Sequence, residues 1–202
     1  MTIEWINVII LNVSGIFCWY FYILSVMPIT RAEKHGEKAW KECARLRLIA
    51  GLLMFVMVIN MILWFWFPIA ELVWPVYPNP LVSILIGVVL AMIFTPIVIK
   101  GVRDAGKETM QPSETTELYG GIYRYIRHPQ TLGEMPWWII IPIFLNSLFL
   151  AIWALIMVII VTPIMIYYEE KDLVKRFGDA YREYQQNTGA LIPKFWKRKE
   201  KN

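Results

Sequence analysis

Four stretches of this chain contain no lysine or arginine: 5–27, 48–67, 81–99 and 135–168. The first three are each close to the ~20 residues a helix needs to cross the ~30 Å hydrocarbon core of a bilayer. The fourth would be about 51 Å long as one helix, at ~1.5 Å per residue, which is too long for a single crossing. It divides at Asn146-Ser147 into a short arm over 130–145 and a full span over 148–168. The sequence therefore predicts an all-α polytopic membrane helix bundle of five transmembrane helices, about 5–27, 48–67, 81–99, 130–145 and 148–168, forming one domain over 1–202. Composition agrees. The chain is 57% hydrophobic and 18% charged, whereas soluble domains run near half apolar and a quarter charged. Two cysteines, Cys18 in an apolar run and Cys43 in a charged loop, make neither a disulfide scaffold nor a metal or redox motif.

The cations label the topology. All 20 Lys and Arg fall in three blocks, 31–47, 100–127 and 171–201, while 68–80 carries Glu71 and no basic residue. With five spans, the three blocks share one face, which the positive-inside rule makes cytoplasmic, leaving the N-terminus outside. The formal charge of +4 is thus no footprint of nucleic acid. The start, Met-Thr-Ile-Glu, lacks the basic region and small-residue cleavage site of a removable signal peptide.

Several features have structural expectations only. Ser83, Gly87, Ala91 and Thr95 recur every four residues, a stripe for close helix packing. Asn60 is expected to make an interhelical hydrogen bond. Trp64, Trp66, Trp74 and Tyr77 read as an aromatic belt at the outer interface, and His35 as a solvated loop histidine.

The segment 117–138, ELYGGIYRYIRHPQTLGEMPWW, concentrates the chemistry. Tyr119, Tyr123 and Tyr125 accompany Arg124, Arg127, His128 and Glu134 within about twenty residues. Pro129 suits a helix's first turn, because its missing N–H would have no partner there. That puts His128 at a helix N-terminus, where backbone donors favour an anion. Glu134 follows one turn later, at the edge of the apolar run, and an ionisable group there points to function. Farther on, the adjacent carboxylates Glu169 and Glu170 oppose the basic trend of the block they open. Leu173, Phe177, Ala180, Tyr181 and Tyr184 then form an apolar stripe, with Lys175, Arg176, Arg182 and Glu183 on the other face. This predicts a C-terminal cytoplasmic amphipathic helix, on the membrane surface or packed over the site. After Thr188-Gly189 the chain turns apolar, and its last residues form a basic cluster suited to an anionic leaflet.

The stretch GIYRYIRHPQTLG resembles the first signature of the isoprenylcysteine carboxyl methyltransferase and phospholipid methyltransferase superfamily. EEKDLVKRFGDAYREYQQNTGALIP resembles the second. The two stand in the family's order across roughly 117–193. The resemblance implies an integral-membrane enzyme that uses S-adenosyl-L-methionine in a cytoplasmic pocket built from segments 100–130 and 169–196. Residue by residue, it implies that Glu117, Leu118, Tyr123, His128, Pro129, Gln130, Thr131 and Glu169 line the cofactor site. Glu134, Glu170 and Arg127 become the catalytic candidates, and Trp137 and Met165 the substrate-side ones. Carboxylates would hold ribose hydroxyls or the cofactor's ammonium, His128 or the helix N-terminus its carboxylate, and aromatic faces its sulfonium. The family's usual Tyr is Thr131 here. Its substrate-gripping Arg is Met165, which disfavours a carboxylate acceptor, since a buried carboxylate without a cation is costly. The acceptor expected is membrane-partitioned or small and lipophilic, a lipid amine, a thiol or a carboxylate, with the bilayer as the other partner and neither nucleic acid nor metal. No Gly-x-Gly-x-x-Gly after a strand occurs. Two alternatives share parts of the pattern: a membrane sterol-type NADPH reductase with a similar Arg-His-Pro stretch, and a non-catalytic assembly or transport subunit.

Overall fold

The computed structural model describes residues 2–117 and 120–194. Among the described residues, eight α-helices run in the order α1 (Ile3–Ser25), α2 (Pro28–His35), α3 (Lys38–Leu63), α4 (Pro80–Ala105), α5 (Pro129–Glu134), α6 (Trp137–Phe144), α7 (Leu148–Phe177) and α8 (Asp179–Asn187). No strand occurs among the described residues, only an isolated parallel bridge between Ile126 and Gly189. Four helices, α1, α3, α4 with its 3₁₀ extension to Thr109, and α7, are long and apolar enough to cross a membrane.

The short arm expected over 130–145 is not one helix. α5 ends at Glu134 and α6 starts at Trp137, with Pro136 at the N-cap between them. These two pieces still carry the chain from His128 to the far end of the bundle. There Asn146 turns it at a positive φ of 52°. The Asn146 side chain accepts from Tyr77 N–H and donates to Tyr77 C=O, both at 3.1 Å, and Leu148 N–H donates to the Trp74 carbonyl at 2.8 Å. α7 is longer than expected, continuing past Tyr168 to Phe177, so Glu169 and Glu170 lie within a helix. Gly178, at φ 60°, then breaks the chain direction into α8.

Packing explains the positions. Asn7 of α1 donates to the Asn60 carbonyl at 3.0 Å, while the Asn60 amide bonds Val56 of its own helix. The interhelical bond expected there therefore uses the backbone of Asn60 instead of its side chain. Leu11, Cys18, Trp19, Ala50, Met57, Met61, Met135, Trp138, Leu150 and Met165 form the core. Trp64 joins them, stacked on Phe149 at 5.2 Å, because the chain turns back over it; Trp66, Trp74 and Tyr77 remain exposed. Cys43 is buried in α3 and not in a charged loop. His35 ends α2, paired with Glu42 at 2.5 Å.

The small residues of α4 do bring backbones close. Ser83 donates to the Ile143 carbonyl at 2.6 Å, and a Cβ on Gly87 would meet the Phe144 ring at 2.9 Å. The tightest approach is between α4 and α5: a Cβ on Gly133 would lie 2.4 Å from the Val98 nitrogen. Only hydrogen fits there, so α5 is pressed against α4, and its N-terminal residues are fixed at that end of the bundle.

Candidate functional site

At the end opposite Asn146, a pocket of about 930 Å³, its open mouth included, lies among α1, α3, α4, α7, α8 and the segment after α4. Six of the residues expected at the site line it: Tyr123, Arg127, His128, Gln130, Thr131 and Glu169.

His128 caps α5 and is buried at 5% exposure, with both ring nitrogens facing carboxylates. Nδ1 is 3.1 Å from Glu169 Oε2 and Nε2 is 3.0 Å from Glu170 Oε1. A neutral imidazole has one donor, so this geometry calls for the doubly protonated ring. Burial alone would lower the His128 pKa, but the two carboxylates outweigh it and raise it from 6.5 to about 9. With both nitrogens engaged, His128 has no donor left for a ligand carboxylate.

The two glutamates differ in their surroundings. Glu170 is saturated: Arg127 reaches Oε1 through Nε at 2.7 Å and Nη2 at 2.6 Å, His128 shares that oxygen, and Gln185 donates to Oε2 at 2.9 Å. Arg127 also donates to the Gln185 and Thr188 carbonyls. It therefore fastens α8 and the turn after it to α7. The backbone extends that seam, Arg127 N–H to Gly189 C=O at 2.8 Å and His128 N–H to Ala190 C=O at 3.0 Å. Glu169 turns into the pocket, and among the described residues His128 is its hydrogen-bonding partner, through one oxygen.

Tyr123 and Gln130 shape the wall on the α4 side. The Tyr123 hydroxyl donates to Gly101 C=O at 3.3 Å and receives Gln130 Nε2 at 3.0 Å. Gln130 also donates to Thr109 Oγ1 at 3.1 Å. Burial pushes the phenol pKa of Tyr123 upward, and that of Tyr181 likewise, so both remain neutral donors. Of the other expected residues, Pro129 is buried at the first turn of α5 and Glu117 is exposed. Glu134 lies behind the pocket, within electrostatic range of Cys18 and Tyr22 of α1. Met165 is in the core at 1% exposure, and Trp137 is half-buried on α6. Leu118 lies outside the described residues, as does the terminal basic cluster from 195 onward.

The apolar stripe brings Leu173, Phe177, Tyr181 and Tyr184 to the pocket, whereas Ala180 is exposed beyond the Gly178 break. Arg176, expected on the solvated face, is buried with 4% side-chain exposure. It pairs with Glu108 at 2.9 Å, donates to the Ser113, Glu114 and Thr116 carbonyls, and lies over the Trp40 and Phe177 rings. Arg176 thus ties the segment after α4 to α7 across the pocket. Asp172, at 1% exposure, accepts the Ile29 and Thr30 N–H groups at 3.0 and 2.7 Å, capping α2 from another helix. Tyr22 and Arg47 also line the pocket. A signal for these residues exists only in hindsight. Arg47 and Arg176 sit in basic blocks where most cations are solvated, and their acceptors lie on other elements.

A family profile described as "protein of unknown function (DUF1295)" matches residues 24–188, which include the first signature and the second as far as Thr188. The methanethiol S-methyltransferase of Pseudomonas deceptionensis is 27% identical over 188 residues, covering 85% of this chain and 69% of that protein. Methanethiol S-methyltransferase 1 of Bradyrhizobium diazoefficiens is 30% identical over 152 residues, 68% of this chain and 50% of the relative. The methanethiol S-methyltransferase of Pseudomonas sp. (strain GM41(2012)) is 26% identical over 178 residues and is covered to 66% of its length. The chain belongs to the DUF1295 family, within the isoprenylcysteine carboxyl methyltransferase-like superfamily of integral-membrane proteins.

Proposed function

We propose that this protein is an integral-membrane methyltransferase that uses S-adenosyl-L-methionine to methylate a small lipophilic thiol. The observation that carries the proposal is the pocket-facing carboxylate of Glu169, oriented through one oxygen by His128, in a cavity flanked by Tyr22, Tyr123, Tyr181 and Tyr184. The residues fit the cofactor. A carboxylate with a spare oxygen suits a ribose diol or an ammonium, and tyrosine faces suit a sulfonium at roughly ~0.5–2 kcal/mol. The relatives' names supply the acceptor class.

When bound, S-adenosylmethionine supplies a methyl group on a positively charged sulfur. Methyl transfer to a thiol would release one proton, which a group of this chain would have to accept. This chain's own part is largely positioning. Glu170, Arg127 and His128 fix the direction of Glu169. Arg176 and the α8 tyrosines shield the pocket from water. Glu170 already accepts from three side chains and makes a poor base. Glu134, on the α1 side and outside that network, is the proposed proton acceptor at its carboxylate. Met165, buried among apolar groups, suits an acceptor without a carboxylate.

In this reading 129–144 makes a short fifth crossing, the N-terminus is outside, and the pocket opens to the cytoplasm. The thiol would arrive through the bilayer.

The test uses detergent-purified protein. S-adenosylhomocysteine at about a hundred times its Kd should stabilise it by ~2.7 kcal/mol, a Tm rise of several degrees. NADPH should leave Tm unchanged. With labelled methyl donor, methanethiol or ethanethiol should yield a labelled thioether. A Tm response to NADPH alone would contradict the methyltransferase reading, and transfer to lipid amines but no thiol would contradict the acceptor.

A further inference from the structure

Each charged side chain that lines the pocket, save one, is matched by a charge or a cap. Glu108 pairs with Arg176, Arg127 with Glu170, and His128 with Glu169 and Glu170, while Asp172 caps α2. The exception is Arg47 of α3. Among the described residues no carboxylate oxygen lies within ion-pairing distance of it. Its Nη1 donates to the Glu108 and Thr109 carbonyls, each at 2.8 Å, and its Nη2 to the Ser25 carbonyl at 3.3 Å. Its Nε is buried with no hydrogen-bond partner. A buried donor without an acceptor is costly, and the one anion that feels the charge of Arg47 across the pocket, Glu169, lies beyond ion-pairing distance. Such a cost persists where a ligand relieves it, and guanidinium is the side chain best shaped to hold a carboxylate through two parallel bonds.

We infer that Arg47 is a binding residue for the carboxylate at the amino-acid end of the cofactor. The inference rests on the methyltransferase reading and extends it. The role falls to Arg47 because the other cations of the pocket are committed, His128 through both nitrogens and Arg127 and Arg176 through carboxylates and carbonyls. Arg47 and Glu169 then present opposite charges to one pocket, the arrangement a zwitterionic amino-acid group requires. A small alkyl thiol has no anion to offer, so the carboxylate is assigned to the cofactor and not to the acceptor.

The test compares two ligands that differ in that group. S-adenosylhomocysteine carries the amino-acid moiety and 5′-methylthioadenosine lacks it. Binding of each is measured by calorimetry on the detergent-purified full chain. In Arg47→Met, S-adenosylhomocysteine should bind roughly 10- to 100-fold more weakly, as expected for loss of a charge-assisted contact. Binding of 5′-methylthioadenosine should change by less than about 3-fold, which also shows that the variant is folded. Arg47→Lys keeps the charge without the fork, and it should show the same selective loss to a smaller degree. This second variant decides the matter if Arg47→Met does not fold. Equal losses for both ligands would make Arg47 a structural residue and overturn the inference alone, as would unchanged binding of both. A wild-type protein that binds neither ligand would overturn the methyltransferase reading and this inference together.

Discussion

His128 Nδ1 lies 3.1 Å from the Oε2 atom of Glu169, and that carboxylate faces the pocket only because the opposite ring nitrogen is anchored by Glu170. The imidazolium is therefore a strut between two consecutive residues of α7. Its pKa is raised from 6.5 to about 9. Because the folded value exceeds the unfolded one, the stabilisation is complete below about pH 6.5 and is lost as pH rises through about 9. Thermal melts in detergent should show Tm falling across that window. His128→Gln should melt lower at pH 6 and show a much flatter profile between pH 6.5 and 9.5. Parallel profiles for the two proteins would remove the imidazolium from the account.

Glu169 and Glu170 should separate stability from binding. Glu170→Gln leaves Arg127 and His128 short of their shared anion, and breaking such a pair costs on the order of 3–5 kcal/mol. Its Tm should fall markedly. Glu169→Gln should melt closer to wild type yet lose the Tm rise caused by S-adenosylhomocysteine. If the two variants exchange these behaviours, the assignment of the pocket-facing carboxylate is wrong.

Gly133→Ala tests the seat of α5. Its Cβ would overlap the Val98 nitrogen at 2.4 Å, and backbone cannot move aside as a flexible side chain can. A cost at or above the ~1–3 kcal/mol of overpacking follows, together with displacement of His128. Gly51→Ala on α3 meets nothing within 4 Å and should be neutral, or stabilising by up to ~1 kcal/mol. Size-exclusion profiles and melts of the two variants decide this.

Arg176→Leu should free the segment after α4. With the Glu108 pair and three carbonyl bonds gone, a loss of about 3–5 kcal/mol is expected for a buried pair. The exposed Lys107 should then be cut by trypsin several-fold faster than in wild type. An unchanged cleavage rate would show that the segment is held by something other than Arg176.

Much of this was legible in the sequence, and the gaps have physical causes. The long apolar runs and the His-Pro start of α5 depend on local rules, and the structure follows them. The length of α7 was less legible, because a helix leaving an apolar environment shows no composition mark until Gly178 stops it. Arg176 looked solvated for the same reason: its position on a helical wheel is polar, but the segment after α4 folds back over it and supplies a carboxylate and carbonyls. Asp172 caps a helix about 140 residues away in sequence, a relation no local pattern encodes. Arg47 was one of six cations in its block, and only the identity of its acceptors distinguishes it.

The parallel bridge between Ile126 and Gly189 has a consequence in time. Residues up to Ala190 complete the wall beside His128, and they follow α7 in the chain, so they leave the ribosome after it. The helices α1 to α7 can therefore form while this wall is still missing. The wall beside His128 is complete only once α8 and its following turn dock.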